Sequence, residues 1–331
     1  MLKRKSILIT GCAGLIGSNL CDYVRRYYPE FHIVGIDDLS DGYEDNIHPE
    51  VDFYQRDAGS DLSDLFENYT IDYVFHFAAR AAESMSGFNR RFFHTNNIVN
   101  SANIINYCIE YNVKRLVFAS SMSVYGNNIV PFTEYQQPNP IDPYGIGKLA
   151  VELDLQAAFL QHGLEYCIFR GHSIYGPKQS LWDKYRNVIG IWMRQTLDGD
   201  PITIYGDGNQ TRAFTYIDDI IPQIWEMATT DQCKNQIYNI GNSNVVRLID
   251  LYKMLSEVTG YDNCVYLDAI HESPHAYCDH AKSDDHLTKW TDTSLKDGLG
   301  KMWEWAKVQP KREIKTWNQF EIKKGLYDMW K

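Results

Sequence analysis

Short apolar runs alternate with amphipathic stretches through the first half of the chain. "SILITG" (6–11) ends in glycine and predicts a buried strand. "LIGSNLCDYVRRYY" (15–28) carries its apolar residues at helical spacing, whereas "HIVGIDD" (32–38) and "VDFYQRD" (51–57) predict strands. A helix in "DLSDLFENY", a strand in "YVFHFAA" (73–79), a long helix in "FFHTNNIVNSANIINYCIEY" and a strand in "RLVFASS" (115–121) follow. A further helix opens near Pro143 and runs to about Gln161, and "EYCIFRG" (165–171) is again strand-like. Strands alternating with helices predict an α/β fold built on a doubly wound parallel sheet.

After residue 172 the rhythm changes. Loops lengthen ("YGPKQSLWDKYRN", "YGDGNQTRAFTY") and the elements become mixed. The expected division is a first domain over 1–172 and a smaller, mixed α/β domain over 173–331. Segments near 213–245, notably "QIYNIG" (236–241), return to the first sheet. The last thirty residues are rich in Trp and Lys at helical spacing and predict an amphipathic packing helix.

Composition narrows the partners. The chain has 331 residues, 44% hydrophobic and 23% charged, as in an ordinary globular protein large enough for two domains. A net charge of −11 argues against a general nucleic-acid or anionic-membrane surface. An anionic ligand would need local cations or helix N-termini. No signal peptide and no membrane-spanning stretch is expected. Seven cysteines, odd in number and without a CxxC pair, point to reduced thiols and a cytoplasmic protein rather than a disulfide framework.

"TGCAGLIG" places Gly11, Gly14 and Gly17 between the first strand and the first helix. A Gly-rich turn there lets backbone N–H groups and a helix N-terminus meet a pyrophosphate, as in a Rossmann-type dinucleotide site. The spacing is GxxGxxG rather than GxGxxG, and a tight turn alone would also account for it. Asp37 ends the second strand about twenty residues on, where an acid binds adenosine ribose hydroxyls and repels a 2′-phosphate. NAD is therefore expected over NADP. Asp57 closes the third strand within reach of an adenine, or simply caps it. Asp41 and its neighbours in "DDLSDG" read otherwise as a solvated acidic turn.

In "DPYGIGKLA" Asp142 can cap a helix and Pro143 suits its first position. Gly145 and Gly147 each cost about 1 kcal/mol against alanine. Side chains there would crowd a cofactor or a neighbouring helix. Tyr144 and Lys148 are four apart and share one helix face. An ammonium near the phenol is expected to lower its pKa and make it a general base for a sugar hydroxyl. Ser121, in "SSMSVYG" at a strand end, is placed to hydrogen-bond the same hydroxyl, unless these serines merely cap the strand.

These features in this order resemble the extended short-chain dehydrogenase/reductase family, in its NAD-dependent sugar-nucleotide epimerase/dehydratase branch. "ILITGCAGLIGSNL", "IDDLS", "HFAAR", "TNNIVNSANII", "FASSMSVYG", "DPYGIGKLAVE", "YGPKQ" and "IYGDGNQTRAFTYIDD" carry the likeness over nearly the whole chain. The pattern is closest to UDP-glucose 4-epimerase-like members. The resemblance implies a catalytic set of Ser121, Tyr144 and Lys148. It implies NAD held by Gly11, Gly14, Leu15, Ile16, Gly17, Asp37, Asp38, Ser40, Asp57, Ala58, Phe77, Ala78, Ala79 and Asn97, with Tyr144 and Lys148. It implies substrate contacts from Ser84, Ser123, Ser173, Asn187, Thr203, Tyr205, Arg212 and Glu272, no metal, and a homodimer built on the helices after Asn97 and Tyr144.

The implied activity is 4-epimerisation of a nucleotide sugar, a UDP-hexose or UDP-hexuronate, through a transient 4-keto sugar. Two alternatives are a nucleotide-sugar oxidoreductase or decarboxylase sharing the 4-keto step, and a non-catalytic nucleotide-binding protein. Ser121, Met122 and Ser123 replace the Thr-Asp-Glu triplet of dehydratases, which argues against elimination of water. The stretch "HESPHAYCD" lacks the arginine common in the family, a place that His271 or His275 could take. The nearby His271, His275, Cys278, His280 and His286 show no regular metal-ligand spacing.

Overall fold

The computed structural model describes residues 5–270, 272–288, 291–316 and 319–330. Every apolar run noted above forms a strand of one parallel sheet. The strands are β1 (Lys5–Thr10), β2 (His32–Asp37), β3 (Asp52–Gln55), β4 (Thr70–His76), β5 (Arg115–Ser121), β6 (Glu165–Gly171) and β7 (Gln236–Ile240). Their spatial order is β7-β6-β5-β4-β1-β2-β3. The chain reverses its winding between β1 and β4, which leaves a crevice at the carboxyl ends of these strands, where α/β sheets bind ligands.

Register fixes what reaches that crevice. Thr10 is level with Ile36 on one side and His76 on the other, so the turns after them begin at one height. Ser121 is level with Gly171. The two faces of the sheet alternate as the pleat requires. Ile7, Ile9, Phe75 and Val117 pack under the helices Leu15–Tyr27 and Ile217–Thr229. Leu8, Val34, Val74 and Leu116 pack under Asn100–Glu110 and Pro143–His162. Beyond Gly171, a further apolar cluster gathers Trp192, Tyr252, Leu299 and Met302 from three helices beside the crevice.

Two elements differ from their expected form. The long helix over 92–111 is interrupted by a wider π-turn at Thr95–Val99, between Arg90–His94 and Asn100–Glu110. Such turns are common at functional sites, and this one sends Asn96 and Asn100 to the crevice. The terminal segment is not one packing helix. The helix Leu295–Ala306 ends early, and the described residues beyond it, 307–316 and 319–330, form an irregular strap with one short 3-10 turn at Asp328–Trp330. Aromatic packing explains the strap better than helical spacing does: Trp330 meets Phe88 and Tyr185 edge-on, and Phe320 meets Phe88. Glu321 accepts the N–H groups of Arg91 and Phe92.

Gly17 sits where the first helix presses on the turn before it. A Cβ there would lie 2.2 Å from the Gly11 carbonyl oxygen. Gly17→Ala is therefore expected to destabilise the chain by about 1–3 kcal/mol through overpacking. Thermal unfolding checks this, and an unchanged midpoint would contradict the close contact.

Candidate active site

A cavity of about 470 Å³ runs from the glycine turn to Arg212. The sequence-predicted residues line it, from Gly11, Gly14 and Asp37 through Ser121, Tyr144 and Lys148 to Asn187, Thr203, Tyr205, Arg212 and Glu272. Asn97 is the exception. It is buried behind the wall, where its side-chain amide accepts from the Arg80 N–H (2.7 Å) and donates to the Arg80 carbonyl (2.9 Å). It braces the segment after β4 rather than facing the cavity.

At the dinucleotide end, the helix Leu15–Tyr27 starts at Gly14 with no side-chain cap and no acid in its first turn. Its first N–H groups are left for a ligand. Gly11 has φ +73°, and a Cβ there would lie 2.8 Å from the Ala78 nitrogen, so β1 and β4 approach as only glycine permits. Asp37 accepts the N–H groups of Ala13 (3.0 Å) and Leu39 (2.8 Å). Burial raises its carboxyl pKa against those bonds. Asp57 is held by the Gly59 N–H (2.6 Å) and the Asn100 amide (2.9 Å).

The acidic turn is not simply solvated. Asp41 pairs with Arg80 (2.7 Å) and Arg186 (3.6 Å). Burial works against its charge, but the two guanidiniums outweigh burial and hold its pKa below the usual range. Asp38 also receives Arg80 at 3.3 Å. The two arginines, far from Asp41 in sequence, gave no local signal.

Asp142 caps the helix Pro143–His162 by accepting the Gly145 N–H at 2.9 Å, with Pro143 in the first turn. Tyr144 then stands over the end of β5. Lys148, one turn on, is 3% exposed, and its Nζ donates to the Ala119 carbonyl at 2.7 Å. Ser121 Oγ lies 2.9 Å from Ser123 Oγ. A Cβ at Gly145 would approach the Ser123 carbonyl oxygen to 2.6 Å, so this glycine lets the helix close on the serine loop. Gly147 has ordinary room for a Cβ, at 3.5 Å from Asn97, so crowding explains only one of the two glycines.

The electrostatics correct one expectation. The Tyr144 pKa is raised, not lowered. Burial is the main cause and the nearby Glu83 charge the next, while the Ser121 hydrogen bond and Arg186 pull the other way. Lys148 is itself depressed to about 7 by burial, against the attraction of Glu152. Its Nζ is 5.8 Å from the Tyr144 ring centre.

Sequence reasoning missed Glu83 and Gln179, which also line the cavity. Glu83 accepts the Ser123 hydroxyl and so brings a carboxylate to a loop whose own sequence holds none. Gln179 is 2% exposed, yet neither polar atom of its side chain has a partner among the described residues. Such a buried amide suits a ligand-facing wall. The histidine-rich stretch is dispersed instead: His275 meets Thr211, His280 meets His172 and Ser243, and His286 meets Tyr238. His271 lies outside the described residues. No group of three metal-ligating side chains forms among the described residues.

A sequence profile of the NAD dependent epimerase/dehydratase family matches residues 7–241. The chain belongs to this family. NAD is its cofactor, and the uncapped helix start and the glycine approach at Gly11 fit a dinucleotide. The chain is 28% identical over 317 residues to a UDP-glucuronate 4-epimerase of Thermodesulfobacterium geofontis, covering 91% of this chain and 95% of that one. The fold is similar to the UDP-glucose 4-epimerase of Thermotoga maritima solved with UDP-glucose (TM-score 0.85, 30% identity, 91% and 98% coverage). It is also similar to the Bacillus cereus UDP-glucuronic acid 4-epimerase solved with UDP-glucuronic acid and NAD (TM-score 0.84, 29% identity, 91% and 99% coverage).

Asp142 gives a pH signature. Its pKa is raised from 3.8 to about 6, first by burial and then by the Glu83 charge. Between these values the folded chain binds more protons than the unfolded one, so stability falls as pH rises through the window. Asp142→Asn retains a capping side chain and is expected to flatten that slope. Thermal midpoints between about pH 4 and 6.5 for both proteins check it, and parallel curves would contradict it.

Proposed function

We propose that this chain is a nucleotide-sugar 4-epimerase that acts on a UDP-linked sugar through a transient 4-keto sugar. The observation that carries the reading is the meeting of Ser121, Tyr144 and Lys148 at the end of β5, on the wall of the cavity that begins at the glycine turn. When bound, NAD supplies the oxidising and reducing equivalent at C4. The first-turn N–H groups of Leu15, Ile16 and Gly17 hold its pyrophosphate, and Asp37 holds the adenosine ribose. Asp38 and Ser40 border that ribose. Asp57 and Ala58 border the adenine, and Phe77, Ala78 and Ala79 line the floor.

Tyr144 takes the proton from the sugar O4 and later returns it. Ser121 hydrogen-bonds O4 and fixes its direction, and Lys148 orients the ribose. Asn187, Thr203, Tyr205 and Arg212 grip the uridine diphosphate, while Ser84, Ser123 and Ser173 leave the sugar room to turn. A firm nucleotide grip and a loose sugar grip suit a reaction that must present both faces of C4. The domain roles follow: 1–172 with returning segments binds NAD, and 173–331 binds the nucleotide sugar.

A cytoplasmic homodimer fits the same reading. All seven thiols are free, and no helix among the described residues is long and apolar enough to cross a membrane. Ile146, Leu153 and Leu160 recur every seventh residue on the helix Pro143–His162 and are exposed, with Val99 exposed on the neighbouring helical segment. Such a stripe suits a two-fold contact.

Two measurements test these readings. Tyr144→Phe is expected to lower turnover of the preferred UDP-sugar by about a hundredfold or more while released NAD stays near one per chain. Unchanged turnover would remove Tyr144 from the chemistry, and steady accumulation of NADH by the wild type would replace the epimerase with an oxidoreductase. For the dimer, Leu153→Glu is expected to shift the sedimenting species from dimer to monomer. A monomeric wild type would refute the dimer.

A further inference from the structure

Glu83 lines the cavity and has no role in the scheme above. Glu83 opens the short helix Glu83–Ser86, and its side chain is exposed towards the cavity. Its carboxylate accepts the Ser123 hydroxyl, which lies 2.9 Å from the Ser121 hydroxyl. Glu83 thus stands one hydroxyl away from the group assigned to the sugar O4. Its negative charge reaches Tyr144, Asp142 and Glu272, each of whose pKa values it raises.

The neighbouring cations are committed elsewhere. Arg186 pairs with Asp183 (3.0 Å) and Asp41 (3.6 Å), Arg212 pairs with Glu272 (2.6 Å), and Lys148 donates to a carbonyl. No salt bridge to Glu83 forms among the described residues. This end of the cavity is therefore a hydrogen-bond acceptor with net negative character.

Inversion at C4 requires that the ring offer both faces to one side of the site. Turning the ring exchanges its C3 edge with its C5–C6 edge. In one of the two poses, the substituent at C5 must therefore face Glu83. A hydroxymethyl group there donates to the carboxylate in a charge-assisted hydrogen bond. A C6 carboxylate meets a like charge with no free cation beside it, which penalises the wrong partner.

We propose that Glu83 is the specificity-determining residue of the sugar subsite: it selects UDP-linked hexoses that carry a neutral C6 hydroxyl and rejects UDP-hexuronates. The proposal rests on the 4-epimerase reading and narrows its substrate class.

The test compares UDP-glucose with UDP-glucuronate in wild type, Glu83→Gln and Glu83→Ala, by turnover and by Kd from calorimetry with the NAD-loaded protein. Wild type is expected to prefer UDP-glucose at least a hundredfold in kcat/KM. Both variants are expected to narrow that preference at least tenfold, chiefly by admitting UDP-glucuronate. Equal use of the two sugars by wild type, or an unchanged preference in both variants, would overturn the proposal. So would a 6-deoxy-4-keto product that disappears in Glu83→Gln, because Glu83 would then be an elimination base. If wild type inverts neither sugar, the epimerase reading falls, and the Kd ratios still decide Glu83: the ratio must move tenfold in the variants or the proposal falls as well.

Discussion

One buried carboxylate ties together the parts that carry the site. Glu152 is 1% exposed and accepts the Ser120 hydroxyl from β5 and two N–H groups of Arg170 from β6, at 3.0 and 2.6 Å. The Arg170 guanidinium lies over the Tyr125 ring at 4.8 Å. The pair joins the helix Pro143–His162 to two adjacent strands just beneath their carboxyl ends. Tyr144, Lys148 and Glu152 are successive positions of one helix face, so fixing Glu152 also fixes the height of the phenol above Ser121. The pair is costly to desolvate, and its worth lies in placement. Removal of one partner would leave an uncompensated buried charge, at a cost of about 3–5 kcal/mol.

Beneath the catalytic face, burial outweighs proximity. The four-residue spacing of Tyr144 and Lys148 suggests a phenol tuned downward by an ammonium. Yet the same burial that positions the lysine removes much of its tendency to be charged, and two carboxylates stand nearer the phenol's side of the balance. The chain's own residues therefore hold Tyr144 protonated at neutral pH. They position the proton acceptor, and the positive charge that would activate it has to arrive with bound ligands. Spacing identifies the pair, but the sign of the pKa shift depends on desolvation, which no spacing encodes.

The parts of the molecule legible in the sequence are those set by local rules. Strand runs, the glycine turn, the Asp142 cap and the i,i+4 pair each depend on residues within a few positions of one another. The β7 segment could be placed because a short apolar strand after the mixed region fits an edge of the sheet. The parts that were not legible are long-range. Asp41 finds Arg80 and Arg186 across 39 and 145 positions of chain, Glu83 meets a loop forty residues away, and the strap from Phe320 to Trp330 packs on Phe88. The strap failed as a helix because its aromatics are used against a distant surface, not along a helical stripe. Tertiary packing overrode periodicity there.

The cavity's charges also divide its two ends. At the diphosphate end, Arg212 donates one N–H group to Glu272 and others to the Thr211 and Pro274 carbonyls. Burial already raises the Glu272 pKa, and Arg212 opposes that rise. A phosphate taking Arg212 would compete directly with Glu272 for the guanidinium and would leave Glu272 with the Gln210 amide at 3.2 Å. At the sugar end, Arg186 is already shared between Asp183 and Asp41, and Glu83 adds a further negative charge beside Ser123. Away from the glycine turn, an anionic group entering this cavity is therefore better accommodated at Arg212 than beside Glu83. That asymmetry orients a nucleotide sugar with its diphosphate towards Arg212 and its uncharged ring towards Tyr144.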